Sequence, residues 1–287
     1  MQASDLIKRV RKIEIKTRGL SRHIFAGEYH SAFKGRGMAF SEVREYQYGD
    51  DIRNIDWNVT ARFDHPYVKV FEEERELTVM LLVDVSGSRD FGTSLYFKKT
   101  LMAELSAVLA FSATQNNDKV GVILFSDKVE KFIPPKKGRQ HILRVIRELI
   151  EFEPEHTRTD VSTALQYLMG AIKKRSTVFV ISDFVSPPFE HALTIAARKH
   201  DVAALRICDI REEEIPAIGL VRFRDAETGQ LLWADASSPK VRRQYRLHWD
   251  GMQSAIDDAF LRSGVDNTFI RTGEDYVKPL VRLFKQR

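Results

Sequence analysis

Asp84, Ser86 and Ser88 stand at alternate positions in Asp84-Val85-Ser86-Gly87-Ser88. Short oxygen-bearing side chains at that spacing suit a hard divalent cation, which takes about six oxygens in near-octahedral geometry when it is Mg²⁺. The aspartate supplies charge, directly or through water, and the serines supply neutral oxygens. Gly87 permits the tight turn that gathers them. Two further segments offer the same chemistry: Thr159 in Thr157-Arg158-Thr159-Asp160, and Asp183 in Ser182-Asp183. The candidate metal ligands are therefore Asp84, Ser86, Ser88, Thr159 and Asp183, with Mg²⁺ expected and Mn²⁺ or Ca²⁺ as alternatives. Few formal charges in the set leave the ion under-neutralised, so it attracts a carboxylate from outside. The competing reading is helix capping, because Ser and Asp also cap helices and residues 88–93 precede a helical stretch.

Three separate loops can converge only if the elements between them bring them to one edge. Residues 77–83 form a near-continuous apolar run, as a strand buried on both faces requires. Phe97, Leu101, Leu105, Val108 and Ser112 follow at helical spacing. Residues 120–125 are a second buried strand, with 129–133 as its hairpin partner, ended by Pro134-Pro135. Helices are predicted at 139–150, 160–173 and 189–199, and strands at 178–181 and 202–207. This alternation predicts an α/β fold with a mostly parallel, doubly wound, Rossmann-like sheet and right-handed crossovers. A hairpin insertion is expected at about 219–235, around Glu227-Thr228-Gly229. A long helix at 239–263, a short strand at 268–271 and a helix at 275–284 complete the chain. In such sheets ligands bind beyond the carboxyl ends of the strands, where the three loops fall.

Residues 1–75 differ in texture from 76–287, which places a domain boundary between them. An amphipathic stretch (Leu6, Ile7, Val10, Ile13) gives way to glycine, aromatics and charge, and residues 67–71 alternate like a half-buried strand. Short strands and turns are expected here. Arg44, Arg53 and Arg62 interleave with Asp50 and Asp56, so bidentate ion pairs are expected, with Tyr46 and Trp57 as packing anchors. The segment reads as a polar-clamped subdomain, or alternatively as a recognition surface. Glu72, Glu73, Glu74 and Glu76 read as a solvated edge.

With 287 residues, 43% hydrophobic and 30% charged, the chain can bury a sizeable core. No apolar run approaches the roughly 20 residues of a membrane span, and the first residues lack the apolar stretch of a signal peptide. The single cysteine, Cys208, lies in an apolar run and reads as a core residue. A cytoplasmic protein is expected. The net charge of +5 owes much to two basic clusters, Lys8 to Arg18 and Lys240 to Arg246. They read as solvated helix faces; peripheral association with acidic lipid and nucleic-acid binding through basic helices are the alternatives. No nucleic-acid motif supports the latter. Phosphate-loop, His-Glu-x-x-His and Gly-x-Ser-x-Gly signatures are absent. A divergent Mg-dependent phosphohydrolase with Asp84 as nucleophile is the enzymatic alternative. Phosphatases of the haloacid-dehalogenase type need a second carboxylate two residues on, where Ser86 stands. The chain therefore reads as non-enzymatic. His156, near Thr159, reads as a bystander.

Asp84, Ser86, Ser88, Thr159 and Asp183 resemble the metal-ion-dependent adhesion site of von Willebrand factor type A domains, over about residue 76 to the C-terminus. Upstream, Gly35-Arg36-Gly37-Met38-Ala39-Phe40, Arg44-Glu45-Tyr46, Gly49-Asp50, Arg53, Ile55-Asp56-Trp57 and Ala61-Arg62 closely resemble the bacterial domain-of-unknown-function 58 family. The resemblance implies a type A-like domain behind a family-specific segment. It also implies an adaptor role beside a MoxR-type AAA+ ATPase, engaging the ATPase or its client through an acidic residue at the metal. Two departures stand out: Thr157-Arg158 before the threonine and Arg89-Asp90 after the first motif. Arg89 and Arg158 are expected to compete for the aspartates.

Overall fold

A computed structural model describes residues 39–63, 65–72, 77–90, 92–93, 96–224, 227 and 229–287. The stretch at 6–13, the first basic cluster, residues 35–38 and the acidic positions 73, 74 and 76 lie outside the described residues. Two compact units are present, one within Lys34–Leu77 and one spanning Thr78–Arg287.

In the smaller unit, β1 (Ala39–Glu45) pairs antiparallel with β2 (Tyr67–Glu72). The connection carries a 3-10 turn and a helix, α1 (Trp57–Phe63), where only strands and turns were expected. Asp56 explains the helix: its carboxylate accepts from the backbone N–H of Asn58 and Val59, capping the first turn. Arg44 grips Asp50 with both guanidinium nitrogens, at 2.8 and 2.7 Å. The other expected pairings shift: Arg53 meets Asp51, and Asp56 meets Lys69. Trp57 is 70% exposed and so is no packing anchor. It opens a helix that presents the ring to solvent, and Val68 supplies buried apolar area instead.

The larger unit is built on β3 (Thr78–Asp84), β4 (Lys119–Phe125), β5 (Val129–Lys136), β6 (Thr177–Ser182), β7 (Asp201–Cys208), and a late strand at Asp266–Arg271. Between β7 and that late strand, β8 (Leu220–Arg224) and β9 (Leu231–Asp235) form a separate antiparallel hairpin. With the late strand numbered β10, the six-stranded order is β10-β7-β6-β3-β4-β5. All neighbours are parallel except β5 on β4.

Alternation along the central strands divides their side chains between two faces. Met80, Leu82, Val178, Val180, Val202 and Ala204 pack with α4 (Val161–Ala171), α5 (Glu190–Lys199) and α7 (Pro239–Ser263). The opposite face lies under α2 (Lys98–Gln115), α3 (Arg139–Glu151) and α8 (Val277–Lys285), where Phe179 meets Phe284 edge to face. A four-residue helix, α6 (Ile210–Glu213), follows β7. The architecture is the expected α/β fold with a mostly parallel, doubly wound sheet and a small N-terminal β segment.

β5 runs through Pro134 and Pro135 rather than stopping before them. It is an edge strand, so the missing N–H donors can face away from the ladder, and its register shifts there. Cys208 is buried, and burial pushes its thiol up to about 12, as befits a core residue rather than a nucleophile.

Candidate functional site

The chain runs from β3 outward through β4 and β5, then returns to the other side of β3 as β6. The topological switch point therefore lies between the carboxyl ends of β3 and β6. Asp84 is the last residue of β3, and Ser182-Asp183 closes β6.

Asp84 is 1% exposed and held on both oxygens. Its Oδ1 accepts from the Ser86 N–H at 2.9 Å, and its Oδ2 from the Ser182 hydroxyl at 2.6 Å. Burial first, and the nearby Asp183 charge second, push the carboxyl up to about 6, against the pull of these hydrogen bonds. The Ser86 and Ser88 hydroxyl oxygens lie 3.1 Å apart. A 3-10 turn at Gly87–Asp90 continues the chain.

Asp183 is also buried. Its Oδ1 accepts from the Val185 N–H at 3.1 Å, while Phe184 between them adopts a left-handed φ of +61°. That conformation is unfavourable for a bulky residue. It is held by an edge-to-face contact with Phe260 at 5.0 Å and by Phe184 N–H donating to Ser182 Oγ. The strain lies directly beside the candidate ligand, as strained backbone often does at functional sites.

Thr159 immediately precedes Asp160, which caps α4 through the Ser162 and Thr163 N–H groups. Capping thus accounts for Asp160 and leaves Thr159 to another role. The Thr157 carbonyl accepts from Gly87 N–H at 2.8 Å, which ties the second loop to the first. Asp84, Ser86 and Ser88 are thus joined by hydrogen bonds, Asp183 lies close enough for its charge to act on Asp84, and the Thr159 loop is bound to the same turn. The Thr159 hydroxyl itself donates to Glu227 Oε1 at 2.8 Å.

The expected competition from Arg89 and Arg158 takes another form. Arg89 is buried and donates to the Phe152 carbonyl, and Arg158 is exposed. The cation seated on the aspartate is Lys98, fully buried, 3.0 Å from Asp183 Oδ2 and also paired with Glu212. Burial pulls its pKa down, but the two carboxylates outweigh it and the ammonium is held charged. Glu212 is fixed by a capping box in which its Oε2 accepts from the Asp209 N–H. Sequence reasoning missed Lys98, although a signal existed: it sits three residues before Leu101 on the buried stripe of α2. His156 pairs with Asp127 and is only half-buried.

Among the described residues no group of three or more His, Cys, Asp or Glu can hold a metal. A cation here would depend on hydroxyls, and one pair of them has a compatible spacing. Oxygens on adjacent vertices of an Mg²⁺ octahedron lie about 2.9 Å apart, given metal–oxygen distances of about 2.05 Å. The Ser86–Ser88 separation is close to that edge, and a hydrogen bond holds the same spacing without the ion. The Asp84–Asp183 repulsion adds a negative field that Lys98 offsets only in part.

A cavity of about 10 Å³ abuts Asp84, with Val85, Arg89, Met102 and Leu149 in its wall. It can take about one water, far short of the several hundred Å³ that hold a small substrate.

Residues 42–252 match the family model described as "Protein of unknown function DUF58". The chain is 32% identical over 223 residues to Uncharacterized protein Mb1516 of Mycobacterium bovis, covering 77% of this chain and 70% of that one. Among solved structures it is similar to the conserved hypothetical protein BatB of Bacteroides thetaiotaomicron, at 15% identity and TM-score 0.48, covering 73% of this chain and 98% of that one. It is also similar to mussel byssus proximal thread matrix protein 1 with a zinc-occupied MIDAS motif, at 21% identity and TM-score 0.38, over 46% of this chain and 38% of that one.

Proposed function

The chain belongs to the DUF58 family, and on that footing we propose that it is a non-enzymatic interaction module that grips an acidic partner residue through a divalent cation at the β3–β6 switch point. The observation that carries this reading is the Ser86–Ser88 hydroxyl pair, 3.1 Å apart, beside two buried carboxylates at the carboxyl edge of the sheet. Ser86, Ser88 and Thr159 would hold the ion directly, with Asp84 and Asp183 contributing charge, directly or through water. The ion is Mg²⁺, with Mn²⁺ or Ca²⁺ as substitutes. When bound, it offers positive charge and an open coordination position to a carboxylate oxygen.

The chain's own residues prepare that position. Ser86 N–H and Ser182 Oγ fix both oxygens of Asp84, so its charge is aimed before any ligand arrives. Lys98 holds Asp183 in one orientation and cancels part of the local repulsion. The serine in place of a second catalytic carboxylate weighs against phosphoryl transfer.

The partner is proposed to be a MoxR-type AAA+ ATPase or its client, a reading that rests on the family resemblance. A cytoplasmic location is proposed with it; among the described residues no helix is long and apolar enough to cross a membrane. Residues 1–75 are proposed as a family-specific segment attached to the site-bearing domain of 76–287. Nucleic-acid binding stays the alternative through Lys240, Arg242 and Arg243, which are exposed, whereas Arg246 is paired with Asp250 and Glu214.

Isothermal titration with Mg²⁺ and Mn²⁺ tests the reading. Wild type should bind one equivalent and Asp84→Ala none. Equal binding by the two proteins would overturn it.

A further inference from the structure

The β8–β9 hairpin is an insertion between β7 and α7, and its turn brings Glu227 to the candidate site. Glu227 Oε1 accepts from the Thr159 hydroxyl at 2.8 Å, and the Glu227 carbonyl accepts from the Thr157 hydroxyl at 2.8 Å. One residue is thus held by side chain and main chain to the same short loop. Its carboxylate is half-buried and comes from 68 residues further along the chain.

The Thr159 Oγ1 to Glu227 Oε1 distance is that of a hydroxyl–carboxylate hydrogen bond, and it also allows the two oxygens to occupy adjacent vertices of an Mg²⁺ octahedron, whose edge is about 2.9 Å. Charge favours the same conclusion. Asp84 and Asp183 carry two negative charges, and Lys98 already lies against Asp183. A divalent ion there remains under-neutralised, and Glu227 is a carboxylate of the same chain already touching one of its neutral ligands.

We infer that Glu227 is an additional, own-chain ligand of the cation, taking the coordination position that a partner's acidic residue would otherwise fill. This rests on the proposed cation site and goes beyond it: the site closes on itself at rest. A partner's carboxylate then competes with a tethered one, whose effective concentration is in the millimolar range or above.

The test uses Mn²⁺ alone on the full chain, with wild type, Glu227→Ala, Glu227→Gln and Asp84→Ala. The glutamine keeps an acceptor for the Thr159 hydroxyl but loses the charge, so it separates ligation from hairpin placement. Affinity is read by titration, and Mn²⁺-bound water by proton relaxation. Both Glu227 variants should bind Mn²⁺ about 10-fold or more weakly. Both should also show one more exchangeable water on the ion. Adding acetate should displace that water in the variants at lower concentration than in wild type. If the Glu227 variants match wild type while Asp84→Ala loses Mn²⁺, Glu227 is no ligand and the cation site stands. If Asp84→Ala also binds as wild type does, the cation site and this inference fall together.

Discussion

Lys98→Met isolates the electrostatics of the site from its ligand chemistry. The ammonium is fully buried and touches Asp183 at 3.0 Å as well as Glu212. Methionine fills a similar volume without charge, leaving two carboxylates, one of them 7% exposed, without their cation. Breaking a buried pair from one side costs about 3–5 kcal/mol. The residual hydrogen bonds, Val185 N–H to Asp183 and Asp209 N–H to Glu212, keep the loss from growing further. A domain of ordinary stability, about 5–15 kcal/mol, survives that loss with a visibly lower urea midpoint. The same change leaves the cation site one charge more negative, so Mg²⁺ should bind the variant more tightly than wild type. Mg²⁺ stabilises both proteins, so at saturation the deficit narrows by the difference in binding free energy, about 1.4 kcal/mol for each tenfold tighter binding by the variant. Urea denaturation in EDTA and in saturating Mg²⁺ should therefore show a large deficit that the ion reduces. A deficit under about 1 kcal/mol in EDTA would refute the buried pairing, taking that cost from one-sided removal of a buried charge. A full deficit with no added Mg²⁺ rescue would refute the adjacency of Lys98 to a cation site.

Other outcomes follow from the same structure. The stability of metal-free Asp84→Asn relative to wild type should rise as pH goes from about 4 to 7. The folded carboxyl titrates at about 6 rather than 3.8, so its contribution is present at low pH and lost as pH rises through 6; the rise is at most about 3 kcal/mol, read by denaturation across pH. His200 is buried with neither ring nitrogen hydrogen-bonded, and burial, aided by Lys199 and Arg175, pulls it down to about 4. Its stability contribution is present above pH 6.5 and lost as pH falls toward 4, so His200→Phe should flatten the acid limb of a stability–pH curve by up to about 3 kcal/mol. Gly121→Ala places a methyl 2.7 Å from Met80 Sδ and 3.0 Å from the Pro135 backbone nitrogen. The sulfur can move but the strand backbone cannot, so a loss of about 1–3 kcal/mol by urea denaturation is expected.

Most of the sheet was legible because its strands are buried on both faces and read as unbroken apolar runs. Met80 to Val83 and Val178 to Ile181 have only one way to bury such a pattern beside amphipathic helices. The carboxyl-edge position of Asp84 and Asp183 followed from the same pattern. What escaped depends on contacts between distant residues. Lys98 meets partners 85 and 114 positions away, and a lysine at a helix start ordinarily reads as solvated. Glu227 sits in a turn whose composition says only that it turns. Trp57 shows that an aromatic type does not reveal which way it faces, and Pro134-Pro135 shows that strand-breaking residues are tolerated at an unpaired edge.

The cation site itself is tested most directly by locating the ion. Crystals of the full chain soaked in Mn²⁺ should show one anomalous scattering peak about 2.1 Å from the Ser86 and Ser88 hydroxyl oxygens, at the edge where Asp84 and Asp183 meet. A peak only at some other place, or none there at millimolar Mn²⁺, would contradict the account.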